Sequence, residues 1–285
     1  MGRSNHELDQ GSLKPLIAEA LFEDRAVPML TPDSWLRVSA LAGLCAREEV
    51  ICSVDELVRK DPISSDLMMI FEHGHSLHWG LQNRVLPKTH TIHGRWRCIM
   101  CGHVRGGADT WVLPLPEDFH ARQLLRGDRC PNCDAEQNAD TCIYVEQWFK
   151  NEEFRIAGHP DGFLRIPSLE GPGVLEGKSI SSRGAWEVRS VPKMDHVVQA
   201  MTYMWLTGCR WGKIVYWNKG GYGKDTLIEH HIEYDEDHVE SIQELIRSIW
   251  NGVRDGKLPE RICGDSGCKR AKACFVTDEC FGRGD

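Results

Sequence analysis

The spacing of apolar residues changes period along this chain. Between 65 and 85, Leu67, Ile70, Phe71, Leu77, Leu81 and Val85 recur at helical intervals, with Gly74 and His78 on the same stripe. That pattern predicts a helix whose stripe, His78 included, faces inward. Upstream, 33–49 reads as a helix carrying Cys45 near its end, and Ser53 with Glu56 reads as a capping box opening a further short helix. Residues 95–142 follow neither period. Beyond them come strand-like runs at 153–158, 163–166 and 174–180, a helix at 195–206, and strands at 213–217 and 226–234. A last helix at 238–253 has an apolar stripe of Val239, Ile242, Leu245, Ile246 and Ile249. The order predicts a mixed α/β core interrupted by an insertion. We divide the chain into a lead-in (1–30, helical around 13–23 and without evident chemistry), a helical part (31–94), the insertion (95–142), a central segment (143–258) and a cysteine-rich end (259–285).

Charge bears on partners. The 285 residues carry a net charge of -8, which opposes nucleic-acid binding by counterion release. The insertion region departs from that average: residues 88–129 hold seven Lys or Arg against four Asp or Glu. Charges interrupt every apolar stretch before the ~20 residues of a membrane span, and the first residues lack a signal peptide's apolar run. The expectation is a soluble cytoplasmic protein with no membrane partner.

Twelve cysteines could form disulfides, but their spacing is that of metal ligands. Cys98-x2-Cys101 and Cys130-x2-Cys133 are two knuckles that can complete one tetrahedral Zn²⁺ site. The 28 residues between them call for a long hairpin. Zinc here can simply hold a coreless insertion together. Alternatively the module touches DNA through Arg95, Arg97, Arg105, Arg122, Arg126 and Arg129, with Trp96 or Trp111 stacking on bases.

The central segment holds a second constellation. GHPDG places Asp161 at a turn between strands, and VLEGKS places Glu176 and Lys178 two apart, hence on one face of a strand. Two neighbouring carboxylates stay ionised together if a divalent cation lies between them, and oxygen ligands favour Mg²⁺ or Mn²⁺. Such an ion with a positioned lysine suits phosphodiester hydrolysis. Each element alone would more often be a turn-forming Asp-Gly or a solvated strand face.

Asp161 with Glu176-x-Lys178 resembles the PD-(D/E)XK nuclease signature, and Gln199-x3-Tyr203 resembles the motif marking its RecB branch. The resemblance implies a restriction-endonuclease-like core, a mixed central sheet flanked by helices. It implies DNA contact by Gln199 and Tyr203, and metal ligation by His78 (in Gly74-x3-His78), Asp161, Glu176 and the Gly177 carbonyl. It extends to AddB-type and CRISPR-associated iron-sulfur nucleases, most closely to compact phage-encoded exonucleases. There one cysteine before the motifs and three after them bind a [4Fe-4S] cluster, here Cys45, Cys263 or Cys268, Cys274 and Cys280. Position 271, where that pattern has a cysteine, is Ala271. Zinc at this site, or a site of the four C-terminal thiols alone, is the other option.

The implied activity is a single-strand-preferring 5′ to 3′ DNA exonuclease serving end processing in recombination, repair or phage replication, with a recombination or replication protein as possible partner. A structure-specific or single-strand endonuclease would use the same residues. A non-catalytic DNA-binding or assembly subunit would need none of the catalytic set.

Overall fold

The computed structural model describes residues 13–27, 29–60, 62–106, 110–113, 122–123, 128–138 and 140–282. Its centre is a mixed sheet of β1 (Ile92–Cys98), β2 (Gly162–Leu164), β3 (Gly173–Ile180), β4 (Trp211–Asn218) and β5 (Leu227–Glu233), lying in the spatial order β5-β4-β3-β2-β1. β3 and β4 are parallel and the other neighbours antiparallel. β1 continues past the sheet to pair with the short strands Val104–Arg105 and Cys142–Val145. The boundary drawn at 94/95 therefore falls inside a strand shared by the core and the cysteine insertion.

β3 explains the position of the site. Its even residues face one side of the sheet, its odd residues the other. Val174 and Ile180 pack against α3 (Met194–Thr207), while Leu175 joins Leu81, Leu164 and Trp211 on the opposite face. β2 spans only Gly162, Phe163 and Leu164, which pair with Leu175, Val174 and Gly173. Among the described residues, the β2-side edge of β3 from Glu176 onward has no strand partner.

Around the sheet lie α1 (Ala46–Val54), α2 (Ser65–Gly80), α3 and α4 (Glu236–Asp255). α4 behaves as its pattern predicts: Val239, Ile242, Ile246 and Ile249 are buried with Met204 and Leu206 of α3. The Asp235 carboxylate accepts from the His238 N–H at its start (3.1 Å), and Gly256 ends it with φ 70°. A second sheet orders Leu36–Arg37, Ile156–Gly158, Trp148–Asn151 and Thr110–Val112. Gly158 allows close packing there, since a Cβ would stand 2.8 Å from Val38 and 2.9 Å from Tyr203.

Several expected elements differ. In place of one helix at 33–49 there is a short strand, a single helical turn Val38–Leu41 and a break at Gly43 (φ 73°), so Cys45 caps the start of α1. Ser53 opens no helix: it lies in the last turn of α1 and its hydroxyl donates to the Leu30 carbonyl (2.7 Å), while Glu56 adopts φ 54°. Ser64 caps α2 instead. The run read as a strand from 153 starts at Ile156, because Arg155 turns at φ 45°. On α2, Leu67, Ile70 and Phe71 are exposed. Burial begins in the π-helical turn that follows, Leu81–Val85, where Leu81, Gln82 and Asn83 are covered. Among the described residues no helix is long and apolar enough to cross a membrane.

Candidate active site

Glu176 and Lys178 project from the even face of β3 toward α3, and the Lys178 ammonium touches Glu176 Oε1 and donates to Gln199 Oε1 (3.1 Å). The turn after Gly158 brings Asp161 to the open edge, where its Oδ2 accepts the Gly177 N–H (2.6 Å). Within a strand the N–H and C=O of one residue project to the same edge, so the Gly177 carbonyl faces this opening too. Gly177 admits the approach, since a Cβ there would lie 3.3 Å from Asp161 Oδ2 and 3.6 Å from His78 Nε2. α2 closes the opening from the odd face: Gly74 crosses over Ser179, and His78 Nδ1 stands 3.5 Å from Asp161 Oδ1.

The electrostatics are frustrated. Glu176 is only 1% exposed, and its Oε2 accepts no hydrogen bond. Burial and then the Asp161 charge push its carboxyl up to about 7, against the pull of Lys178. Burial also acts on Asp161, but His78, Lys178 and the Gly177 N–H outweigh it and hold that carboxyl below the usual range. His78 and Lys178 are each opposed by burial and raised overall, His78 by Asp161 and Lys178 by Glu176 and Asp161. The cluster thus has one carboxylate satisfied by its neighbours and one, Glu176, that is buried with a single oxygen paired to Lys178 and the other without a partner.

Gln199 and Tyr203 are both buried on the α3 face turned to the site. Position alone missed three neighbours. Gln82 Nε2 donates both to the Asp161 carbonyl and to Glu146 Oε1, at 2.7 Å each. Glu146 Oε2 in turn pairs with His159 Nδ1 (2.5 Å), raising that imidazole's pKa. Gln82 sits in a turn of unusual winding, 64 residues before Glu146 and 79 before Asp161, so no periodicity announces these neighbours.

No family model matches this chain, and no curated protein matches it. Among solved structures it is similar to the alkaline exonuclease LHK-Exo from Laribacter hongkongensis, at 12% identity and a TM-score of 0.44, covering 78% of this chain and 89% of that one. LHK-Exo in complex with dAMP gives 14% identity at the same TM-score and coverage. SSO0001 gives 15% identity and a TM-score of 0.39, over 88% and 91% of the two chains. Likenesses of this degree assign neither fold nor activity.

The thiols form two groups of different build. Cys98, Cys101, Cys130 and Cys133 bring their sulfurs within 4.8 Å of one another, with Cys98 to Cys133 at 3.8 Å and Cys101 to Cys130 at 3.6 Å. Both knuckles close alike. The N–H of Gly102 and of Asp134 donates back to Cys98 and Cys130 respectively, and both closing residues are left-handed (φ 74° and 59°). No other group of three or more metal-ligating side chains among the described residues is this tight, so the His78, Asp161 and Glu176 ligand atoms are set wider.

Cys45, Cys263, Cys274 and Cys280 instead line a cavity of about 310 Å³ together with Arg47, Arg261 and Arg270. Arginine bonds tie the two chain ends across it: Arg270 donates to the Gly43 carbonyl (2.9 Å) and Arg47 to the Pro259 carbonyl (2.9 Å). Cys268 does not line the cavity. Its sulfur accepts the Ala271 N–H (3.3 Å) at the start of the short helix Lys269–Ala273. Cys52, Cys142 and Cys209 are buried, as small apolar residues would be.

The arginines and aromatics expected to form a DNA-touching finger are largely used elsewhere. Trp96 is fully buried, edge-on to Tyr144 at 5.3 Å, so it cannot stack on a base. Trp111 is half-buried and packs against the main core. Arg95 is buried, Arg105 bonds Asp128 and Gln137, and Arg129 forks onto Asp134. The side chain of Arg122 and all of Arg126 lie outside the described residues.

Proposed function

We propose that this chain is a metal-dependent DNA exonuclease whose reaction centre is the open edge of β3. Glu176 carries the reading: a carboxylate sealed from water with an unpaired oxygen, facing Asp161 across a gap in a sheet and flanked by a lysine. Folding gains little from that arrangement, because a buried carboxylate with one oxygen left without a partner costs free energy even beside Lys178. A divalent cation supplies the missing partner.

His78, Asp161, Glu176 and the Gly177 carbonyl would hold Mg²⁺ or Mn²⁺. When bound, the ion supplies Lewis-acid stabilisation of the phosphoryl oxygens and a water of lowered pKa. Glu176 would offer its unpartnered oxygen to the ion while Lys178 stays beside its other oxygen. Lys178, still held by Gln199, orients the attacking water and offsets the charge developing on phosphorus-bound oxygens. Gln199 and Tyr203 seat the strand beside it, and Gln82 fixes the Asp161 turn through its main-chain carbonyl. Preference for single strands, 5′ to 3′ polarity, a role in end processing during recombination, repair or phage replication, and a recombination or replication partner rest on the resemblance of the motifs.

Zinc belongs to Cys98, Cys101, Cys130 and Cys133, since a tetrahedron with Zn–S bonds of ~2.3 Å has sulfur-to-sulfur edges of ~3.8 Å. An iron-sulfur cluster belongs in the cavity of Cys45, Cys263, Cys274 and Cys280: the thiols stand around a volume too open for one ion, and three arginines can balance an anionic cluster. On this assignment Cys263 is the ligand and Cys268 a helix cap. A visible absorbance band from protein purified without oxygen is expected, lost in Cys263→Ser and kept in Cys268→Ser.

The deciding assay uses a linear strand labelled at either end and a circular single strand, each with Mg²⁺, Mn²⁺ or chelator. Mononucleotide release from the 5′ end of the linear strand, intact circles and silence in chelator are expected. Cleaved circles would make the enzyme an endonuclease, and activity in chelator would remove the metal.

A further inference from the structure

Two loops beyond the C-terminal ends of β3 and β4 stand apart from the chemistry of the rest of the surface. Residues 181–194 and 218–226 together hold five Lys or Arg (Arg183, Arg189, Lys193, Lys219 and Lys224) against two acids, Glu187 and Asp225, on a chain of net charge -8. They also display two of the most exposed aromatic side chains among the described residues, Trp186 at 77% and Tyr222 at 90%. The cost of leaving a tryptophan in water is not offset by packing here, although its neighbours Ala185 and Val188 are buried against α3 and β4.

The loops form one ledge. The Lys219 N–H donates to the Ile180 carbonyl (2.9 Å), Arg189 pairs with Asp225 (3.2 Å), and Ser182 Oγ reaches Asn218 Oδ1 (3.4 Å). Gly220 lies so close to Ser182 that a Cβ would meet its hydroxyl at 2.2 Å. At the far end the Lys193 N–H donates to the Tyr216 hydroxyl (3.0 Å), and Tyr216 is the β4 residue paired with Lys178. The ledge therefore starts three residues beyond Lys178, about 10 Å along an extended strand, and the short helix Ser182–Glu187 within its first segment packs on the same side of the sheet as α3, toward which Lys178 points.

We propose that this ledge is a track for single-stranded nucleic acid, with Trp186 and Tyr222 stacking on unpaired bases and Lys193, Lys219 and Lys224 on the phosphates. A duplex keeps its base faces covered, so two exposed aromatic faces select a strand whose bases are free. The track deepens the nuclease reading by naming the side on which the strand enters or leaves.

Binding of labelled oligothymidylate in chelator, where nothing is cut, tests the ledge separately from catalysis. A second ligand is an abasic oligomer of the same length. The double variant Trp186→Ala, Tyr222→Ala should weaken oligothymidylate binding tenfold or more and leave the abasic oligomer within about twofold. Lys219→Gln with Lys224→Gln should weaken both and lower the log-log salt slope by about 1.4, at ~0.7 per single-strand phosphate. Unchanged oligothymidylate affinity in the aromatic variant, or an equal loss on both ligands, overturns the proposal. If wild-type protein binds oligothymidylate through these residues yet cuts nothing with Mg²⁺ or Mn²⁺, the ledge stands and the nuclease reading fails.

Discussion

The carboxylate cluster, which we propose holds a cation, and the four-thiol module, whose sulfurs could hold one, are treated in opposite ways by the fold. The thiol knuckles are complete in their own backbone: each is closed by a hydrogen bond onto its first cysteine and a left-handed residue, and their sulfurs already stand at metal distances. The carboxylates are instead buried and mutually repelling, form with His78 no group as tight as the thiols, and one of them is in contact with Lys178. A structural site lowers the energy of the fold that contains it. A catalytic site stores a deficit that substrate and cofactor relieve.

The sharpest way to break this contrast is to remove each deficit in turn. Glu176→Gln keeps the shape and deletes the charge, so cleavage of an end-labelled strand should fall at least ~10³-fold while the protein still binds oligonucleotide. A residual rate within tenfold of wild type would place the chemistry elsewhere. Replacing Cys101 and Cys133 with serine should act in the other currency. Metal content falls by one equivalent, and loss of a site worth several kcal/mol lowers Tm by roughly 10 °C. The cleavage rate per folded molecule should change far less than in the glutamate variant. Since β1 carries Cys98 at its end and borders β2, some loss is expected, but equality with Glu176→Gln would erase the distinction.

A smaller effect separates the two sites by pH. The folded-state pKa of Glu176, about 7, lies above the ordinary glutamate value of 4.5. Folded protein thus holds an extra proton between those values, and metal-free stability should fall as pH rises through that window, by on the order of 3 kcal/mol. Denaturant melts in chelator at pH 5 and pH 8 should show a clearly smaller drop in Glu176→Gln than in wild type, the remainder coming from His78 and His159, whose raised pKa values act in the same direction. Smallest is Gly177→Ala. The new methyl would crowd Asp161 and His78, costing about 1 kcal/mol of stability and roughly tenfold in rate, measured by melts and by the labelled-strand assay.

Part of this was legible in the chain. The i, i+2 spacing of Glu176 and Lys178 inside an apolar run fixes both a strand and a shared face, and each C-x2-C pair brings two thiols to one side of a tight turn, because such motifs are local. The α4 stripe reads correctly for the same reason. α2 misleads: its apolar residues repeat with helical period, yet Leu67, Ile70 and Phe71 face solvent, since period says which residues share a face and not what covers it. Trp96 looked available beside arginines but fills a small core with Tyr144, a partner 48 positions away. Gln82, Glu146 and His159 gather only once three separate segments fold. The basic ledge escaped attention because its charge is split between two loops that neither composition nor spacing joins.

The central claim is that His78, Asp161, Glu176 and the main chain at Gly177 share one divalent ion. Titration of Mn²⁺ followed by its electron paramagnetic resonance signal tests it without any substrate, and thiol sites compete poorly for so hard an ion. Wild-type protein should take up one Mn²⁺, Asp161→Asn and Glu176→Gln should each bind it at least ~30-fold more weakly, and Lys178→Met should bind it at least as well as wild type. Equal Mn²⁺ affinity in wild type and both carboxylate variants would contradict the account.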